Sequence, residues 1–466
     1  MRGIKKIAFL SLVLPVGPAL LLPWSLMAQQ SSATPPQATA NLSNSQTSTP
    51  PPQIPLAAAE PRALKIEPTL LAAKAAQESA AYDRTIARAA LLPQGSIVGQ
   101  YLYTESNGVD FGGVVPGAPG PVFIANNAVH EYVSQFTTTE NLSLAAVARY
   151  RQAGALALRA KEEAEIASRG LLFVVTQAYY SVLAADRKLQ AAQEAAQEAQ
   201  DFVDLTQKLE AGREVAHSDV LKAQLQLQQR QRDRADAALT ASEARESLGV
   251  LLFPDPTTPY VLADPLSAMA PLPDENQVRA LAGEANPELR SAMADVKASD
   301  ADVLASRAGY LPTLSFDYNY GLDAPAFQRT GAGGEQFLGY SASAGINIPV
   351  WDWFTTFSHV KQSELHQHLA RASLDLTQRQ LIAQLHAAYG ELATAEAAFT
   401  SLTQSVEQAR ESLHLSTLRY QSGEATVVEV VDAQNTYLTT ETMAADGAVR
   451  YHVARANLER LTGKLP

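Results

Sequence analysis

The chain has 466 residues, 46% of them hydrophobic, and a formal net charge of −12 at neutral pH. It contains no Cys, which excludes disulfides, thiolate metal sites, catalytic thiols and lipidation of an N-terminal Cys. Its 36 basic residues against 48 acidic ones form no basic stripe to neutralise phosphates, so nucleic acid is not an expected partner.

Arg2, Lys5 and Lys6 precede an apolar run over residues 7–24, the pattern of a secretory signal peptide. Cleavage is expected after Ala28, giving a signal over residues 1–28, with Ala33 as the alternative site. Prolines at 15, 18 and 23 argue against an uncleaved membrane anchor. Loss of the three basic residues takes the chain to about −15. Residues 29–61 are Ser, Thr, Pro, Ala, Gln and Asn with little else. Such a composition cannot bury enough apolar surface to offset chain entropy, and a disordered leader is expected there.

The remainder reads as two copies of one unit, over residues 62–253 and 286–463, joined by a Pro-rich connector over 254–285. In each copy an Ala-rich helical pattern ends in Arg-x4-Pro, at Arg88 to Pro93 and at Arg307 to Pro312. Pro93 and Pro312 end their helices and turn the chain extended. The strand after Pro312 alternates cleanly: Leu314, Phe316, Tyr318 and Tyr320 face one way, and Thr313, Ser315, Asp317 and Asn319 the other. A soluble sandwich strand would also alternate, but an aromatic face opposite one carrying Asp and Asn fits a membrane barrel strand with a wet lumen. Ile97, Gly99, Tyr101 and Tyr103 take the matching outward positions in the first copy. Gly/Pro-rich loops over 104–127 and 323–336 lead to return strands near 130–139 and 340–348. Two strands per copy, each of bilayer-crossing length, cannot close a barrel, and open edges are not tolerated in lipid. If they span a membrane, the chain must oligomerise.

A long helical pattern follows each hairpin, over residues 142–211 and 357–422, roughly 100 Å at 1.5 Å per residue. Shorter helices return over 218–252 and 427–461. Gly212 and Gly423 mark the two turns, and both are expected in or near a left-handed conformation. The first copy has one residue more between its Gly and the acidic residue that follows, so Asp219 pairs with Glu429, and Ala223-Gln224 with Ala433-Gln434. Glu429 and Asp432 lie three apart and share one helix face. Alone, such a pair is most simply a solvated face.

Helix, Arg-x4-Pro, β-hairpin, long helix, Gly tip and (Asp/Glu)-Val-x-x-Ala-Gln in tandem resemble the TolC-like outer membrane efflux protein family. Asn286-Pro287-Glu288-Leu289 also resembles the family's opening signature. The resemblance implies a mainly α fold with a small β part: a duplicated repeat whose homotrimer forms a 12-stranded β-barrel and a long periplasmic α-helical barrel. It implies a passive exit duct in the outer membrane, for tripartite efflux or type I secretion. The partners would be outer membrane lipid, a periplasmic adaptor and an inner membrane pump of the RND or ABC type. It makes Glu429 and Asp432 the acidic ring of the periplasmic entrance, with Tyr420 and Asp219 as gate contacts and the Gly212 and Gly423 tips as adaptor docking points. Leu314, Phe316, Tyr318 and Tyr320 would face lipid. The family's Arg two residues after the second Gly is here Ala425, with Arg213 as a candidate substitute.

The long hairpins alone also fit a periplasmic adaptor or structural coiled-coil protein, which should lack the duplicated aromatic strands and carry a lipoyl-like β-domain. A polysaccharide- or peptidoglycan-associated enzyme is argued against by the absence of a catalytic constellation. His359 and His366 are two turns apart, and His366 and His368 point apart, so no metal site is expected. No cofactor is expected.

Overall fold

The structure, a computed structural model, describes residues 52–103, 130–331 and 333–463. The signal peptide, the leader up to residue 51 and the first Gly/Pro-rich loop (104–127) lie outside the described residues. The elements are β1 (Gln53–Ile54), α1 (Leu56–Ile66), α2 (Pro68–Ala89), β2 (Gln94–Tyr103), β3 (His130–Leu142), α3 (Leu144–Ala211) and α4 (His217–Leu252). Then come β4 (Val261–Leu262), α5 (Glu275–Ala285), α6 (Pro287–Arg307), β5 (Thr313–Ala324), β6 (Leu338–Asn347), α7 (Thr355–Gln421) and α8 (Val427–Thr462).

Two expectations need correction. The leader does not run to residue 61, because β1 and α1 are ordered within it. Ile54, Ala59 and Ala63 are fully buried in a cluster with Val175, Tyr179 and Leu248. The Ala- and Pro-rich composition hides this, since the apolar surface that α1 covers belongs to α3 and α4. The connector, likewise, does not run to residue 285 as a plain link between the repeats. Its last eleven residues form α5, capped by Asp274 and burying Val278 and Ala282. Both repeats therefore open with a short helix that stops before an X-Pro step. Pro68 and Pro287 take the first helical positions of α2 and α6, where a missing N–H costs nothing. The preceding Asn286 caps α6, its Oδ1 accepting from the Leu289 amide at 2.9 Å.

Four strands form one antiparallel sheet in the order β2-β3-β5-β6. The central β3–β5 pairing joins the two repeats, and β2 and β6 have open edges among the described residues. The register puts Leu314 level with Ile346 and Leu142, and Tyr320 level with Tyr340, Phe136 and, across β3, Ile97. The opposite face stacks Thr137, Asn319 and Ser341 in one row and Thr139, Asp317 and Ser343 in the next. Leu314, Phe316, Tyr318 and Tyr320 are exposed on the first face. Pro93 and Pro312 each stand one residue before a strand.

α3 and α7 are 68 and 67 residues long. Each spans roughly 100 Å at 1.5 Å per residue. α3 packs against α2, α4, α6 and α8, and α7 packs against α6 and α8. The contacts of α3 rest largely on small residues, including Ala191, Ala192, Ala195 and Ala199, which allow close approach of the backbones. At the waist the connector is pinned from both repeats. Tyr179 donates to Asp264 Oδ2 at 2.7 Å, and the Leu56 amide reaches the same oxygen at 2.6 Å. Tyr451 donates to the Ala270 carbonyl at 2.8 Å and accepts from its amide at 2.9 Å. His452 stacks on Tyr180, with centroids 3.6 Å apart and planes 4° apart, and its Nε2 lies 3.2 Å from the Leu266 carbonyl. Burial pushes the His452 pKa down and raises that of Tyr180 to about 12.

Candidate functional site

The two helical tips close by the same hydrogen bonds. The Glu214 amide donates to Leu209 O at 2.9 Å, and the Glu424 amide to Arg419 O at 2.8 Å, each a six-to-one bond of a Schellman turn. Ala216 and Thr426 are the N-caps of the returning helices. Arg213 therefore aligns with Gly423, and Asp219 with Glu429, with no inserted residue. The left-handed residue of the first tip is Arg213, at φ 62°, while that of the second is Gly423, at φ 78°. Gly212 is right-handed, at φ −73° and ψ −9°, contrary to the expectation for it. Matching glycine to glycine displaced the alignment by one, because the helix end needs a backbone conformation and not a residue type.

Glu429 occupies the third position of α8 and forms a capping box with Thr426. Its amide donates to Thr426 Oγ1 at 3.4 Å, and its Oε1 accepts from the Thr426 amide at 3.3 Å. Its Oε2 lies 3.5 Å from Arg419 Nη1. Arg419 also donates to the Glu424 carbonyl at 3.3 Å, so this residue, not Arg213, braces the tip that lacks the family Arg at 425. Sequence reasoning missed it. The usable signal was a basic side chain in the last turn of α7, where the helix dipole favours one, facing the acidic first turn of α8. Asp432 is exposed beside Glu429 and makes no hydrogen bond or ion pair among the described residues. Val427 and Val430 are buried on the other side of the helix.

Tyr420 is buried, at 4% exposure, with its ring 5.1 Å from that of Phe202. Its hydroxyl has no hydrogen-bond partner among the described residues. Burial first, and the Asp219 charge second, push the phenol pKa up. Tyr420 and Asp219 are thus electrostatic neighbours, but within one protomer no hydrogen bond joins them. Asp219 instead lies 3.5 Å from Lys222. Gln434, also buried, leaves its Oε1 without a partner among the described residues.

Just above the tips a groove of about 850 Å³ runs between α3 and α7 and is floored by Gln434 and Tyr437 of α8. Glu194, Glu198 and Asp201 line one wall, and Arg410 and His414 the other. Burial, followed by the charges of Glu194 and Asp201, pushes the Glu198 pKa up. Arg410 donates to Tyr437 Oη at 3.2 Å. Among the described residues no group of three or more His, Asp or Glu could hold a metal ion.

A four-stranded sheet with an exposed apolar face, carried on two helical hairpins that end in matched tips, is the architecture of one protomer of a TolC-like outer membrane channel. The chain belongs to the outer membrane efflux protein family, whose profile matches residues 61–252 and 278–464. It therefore resides in the outer membrane and extends into the periplasm. It is 22% identical over 415 residues to the alkaline protease secretion protein AprF of Pseudomonas aeruginosa, covering 86% of this chain and 83% of that one. It is 26% identical over 267 residues to protein CyaE of Bordetella pertussis, covering 57% of this chain and just over half, 56%, of CyaE. The CmeC outer membrane channel of Campylobacter jejuni shares the fold, with a TM-score of 0.74 at 15% identity over 88% of this chain and 85% of that one.

Proposed function

We propose that three copies of this chain form the exit duct of a tripartite efflux or type I secretion system. Three four-stranded sheets would close edge to edge into one 12-stranded barrel, with Leu314, Phe316, Tyr318 and Tyr320 on lipid and the Asp317 and Asn319 face on water. The helical hairpins would form a periplasmic tunnel that an adaptor joins to an inner membrane pump. The chain carries out passive transport, not catalysis. The observation that carries this reading is the sheet: among the described residues both outer strands have unpaired edges, and the face opposite the polar rows is aromatic and aliphatic. Such a sheet is stable in lipid only when its edges are paired. Glu429 and Asp432, gathered around a three-fold axis, would place six carboxylates at the entrance and favour cations there. Relatives named for protease secretion and for efflux support either kind of cargo. The test is the mass of the detergent-purified oligomer together with its conductance in planar bilayers. A trimer that conducts is expected; a monodisperse monomer with intact β signal would overturn the reading.

A further inference from the structure

α2, α3, α6 and α7 follow the order of the strands they join, β2, β3, β5 and β6, since α3 packs on α2 and α6, and α6 on α7. α2 and α7 are therefore the outer helices of one chain, as β2 and β6 are its outer strands. Over α3, between α2 and α6, lies a cleft of about 600 Å³, built wholly within the chain. Three cations line it: Arg84 of α2, Arg151 of α3 and Lys297 of α6. Arg84 is held in place by Tyr150. Its guanidinium lies over the ring, 5.7 Å from the centroid, and donates to Tyr150 Oη at 3.4 Å. A Cβ at Gly154 would stand 3.7 Å from Arg84 Nε, so this side chain reaches across α3. Arg151 and Lys297 are exposed and make no hydrogen bond or ion pair among the described residues. The carboxylate that lines the cleft, Asp300, is engaged elsewhere: its Oδ1 accepts from Gln367 at 2.6 Å and from Arg371 at 3.2 Å.

Cations left together without carboxylate partners stand out in a chain of net charge −12, where acidic side chains are plentiful. Like charges in a concave site reinforce one another's field and attract anions. The remaining lining includes Ala155, Leu158, Ala301 and Leu304, so the cleft also offers apolar surface. Cations beside apolar side chains fit an amphipathic anion. A phosphate monoester presents three acceptor oxygens, and guanidinium and ammonium groups are its usual donors. Depth separates the sources of such a group. Arg84, Arg151 and Leu304 lie roughly 10–15 Å beyond the ends of β2, β3 and β5, at 1.5 Å per helical residue. The headgroup layer is only about 5–8 Å thick on each side of the hydrocarbon. A phospholipid seated in the bilayer therefore ends short of the cleft, whereas an amphiphile free in water reaches it.

We propose that Arg84, Arg151 and Lys297 form a binding site for a phosphate-headed amphiphile free in the aqueous phase, with its chain laid on Leu158 and Leu304. The membrane depth rests on the barrel reading above, whereas the cleft is complete within one chain.

Lys297 is its own reporter. The full-length channel, purified in a nonionic detergent, is labelled briefly with an amine-reactive acyl ester, and the extent at each lysine is read by peptide mass spectrometry. Octyl phosphate should slow labelling of Lys297 severalfold and leave Lys74 and Lys161, exposed lysines outside the cleft, unchanged. Octanol and inorganic phosphate at the same concentration should each protect much less, and Arg151→Ser should remove the protection. Equal labelling of Lys297 with and without octyl phosphate, or full protection in Arg151→Ser, overturns the site. So does a Lys297 that fails to react in the free channel while Lys74 reacts. In vesicles without octyl phosphate, Lys297 should label alike in phosphatidylglycerol and in phosphatidylcholine; protection by phosphatidylglycerol alone would assign the cleft to bilayer lipid and overturn the free ligand. Conductance of the same preparation separates this site from the duct. Absent protection in a conducting channel refutes the site and leaves the duct intact, and protection in a chain that does not conduct refutes the duct and leaves the site.

Discussion

Substituting the two tip glycines by Ala should move stability in opposite directions. Gly423 has φ 78°, and a Cβ there would meet nothing within 4 Å, so the cost of Gly423→Ala is conformational alone. A left-handed L-residue costs about 1–2 kcal/mol. The stiffer unfolded chain returns about 0.4–1 kcal/mol, for a net loss near 1 kcal/mol. Gly212 lies in the right-handed region, and its added Cβ would sit 3.4 Å from the Leu209 carbonyl, an ordinary contact. Gly212→Ala should therefore stabilise its tip by about 0.4–1 kcal/mol. The readout is hydrogen exchange of the two Schellman amides. Glu424 should exchange roughly fivefold faster in Gly423→Ala, and Glu214 a few fold slower in Gly212→Ala. Arg213→Gly, which relieves the first tip, should also slow Glu214. Faster exchange of Glu214 in Gly212→Ala would refute the placement of the left-handed residue at Arg213.

Four further outcomes are expected. Leu314→Arg or Phe316→Arg should cost about 2–4 kcal/mol of barrel stability near the bilayer midplane, while Asp317→Arg inserts normally; equal loss of membrane assembly from both faces would mean that the register is wrong. Glu429→Gln with Asp432→Asn should weaken block of the channel by a trivalent cation without altering trimer stability, whereas Glu429→Ala should also lose the capping box, about 0.5–2 kcal/mol in thermal unfolding. Tyr420→Phe removes a buried hydroxyl that lacks a partner in the protomer and should stabilise the tip by about 1 kcal/mol; a rise in single-channel conductance instead would show that a neighbouring protomer satisfies this hydroxyl in the closed trimer. Finally, burial holds the His452 pKa below its unfolded value of about 6.5, so the unfolded chain binds the extra proton first. This contribution to stability is full above pH 6.5 and is lost as pH falls towards the folded pKa, so His452→Gln should flatten the acid side of the stability profile, and an unchanged slope would exclude His452.

Much of this protein was written locally. Pro93 and Pro312 mark the strand starts, and the alternation from Leu314 to Tyr320 survives in the ladder because each depends only on neighbours in sequence. What was missed depends on partners far along the chain. The pattern of α1 is uninformative because Ala59 and Ala63 are buried by α3. β5 runs to Ala324, past the polar-apolar alternation, because Tyr132 of β3 stands opposite that residue. At the tips the residue type misled: Gly212 is present where no glycine is needed, and Arg213 stands where one would be favoured. The acidic pair was legible as a shared face. That Glu429 is half committed to its own helix cap and to Arg419 was not, since the latter contact exists only once the hairpin has folded back.

The β3–β5 pairing sets an order of events. Tyr132 meets Ala324 across a stretch of chain that includes the whole first helical hairpin, the connector and α6. As the polypeptide emerges in sequence, its first β-hairpin waits as an isolated pair of strands, which is marginal in water, until the second repeat arrives. Most of the helical mass, mainly polar on its surface, is made before the apolar sheet can be assembled. The four-stranded sheet therefore cannot assemble until the second repeat has begun, when β5 docks beside β3, with β6, α7 and α8 still to follow in the chain.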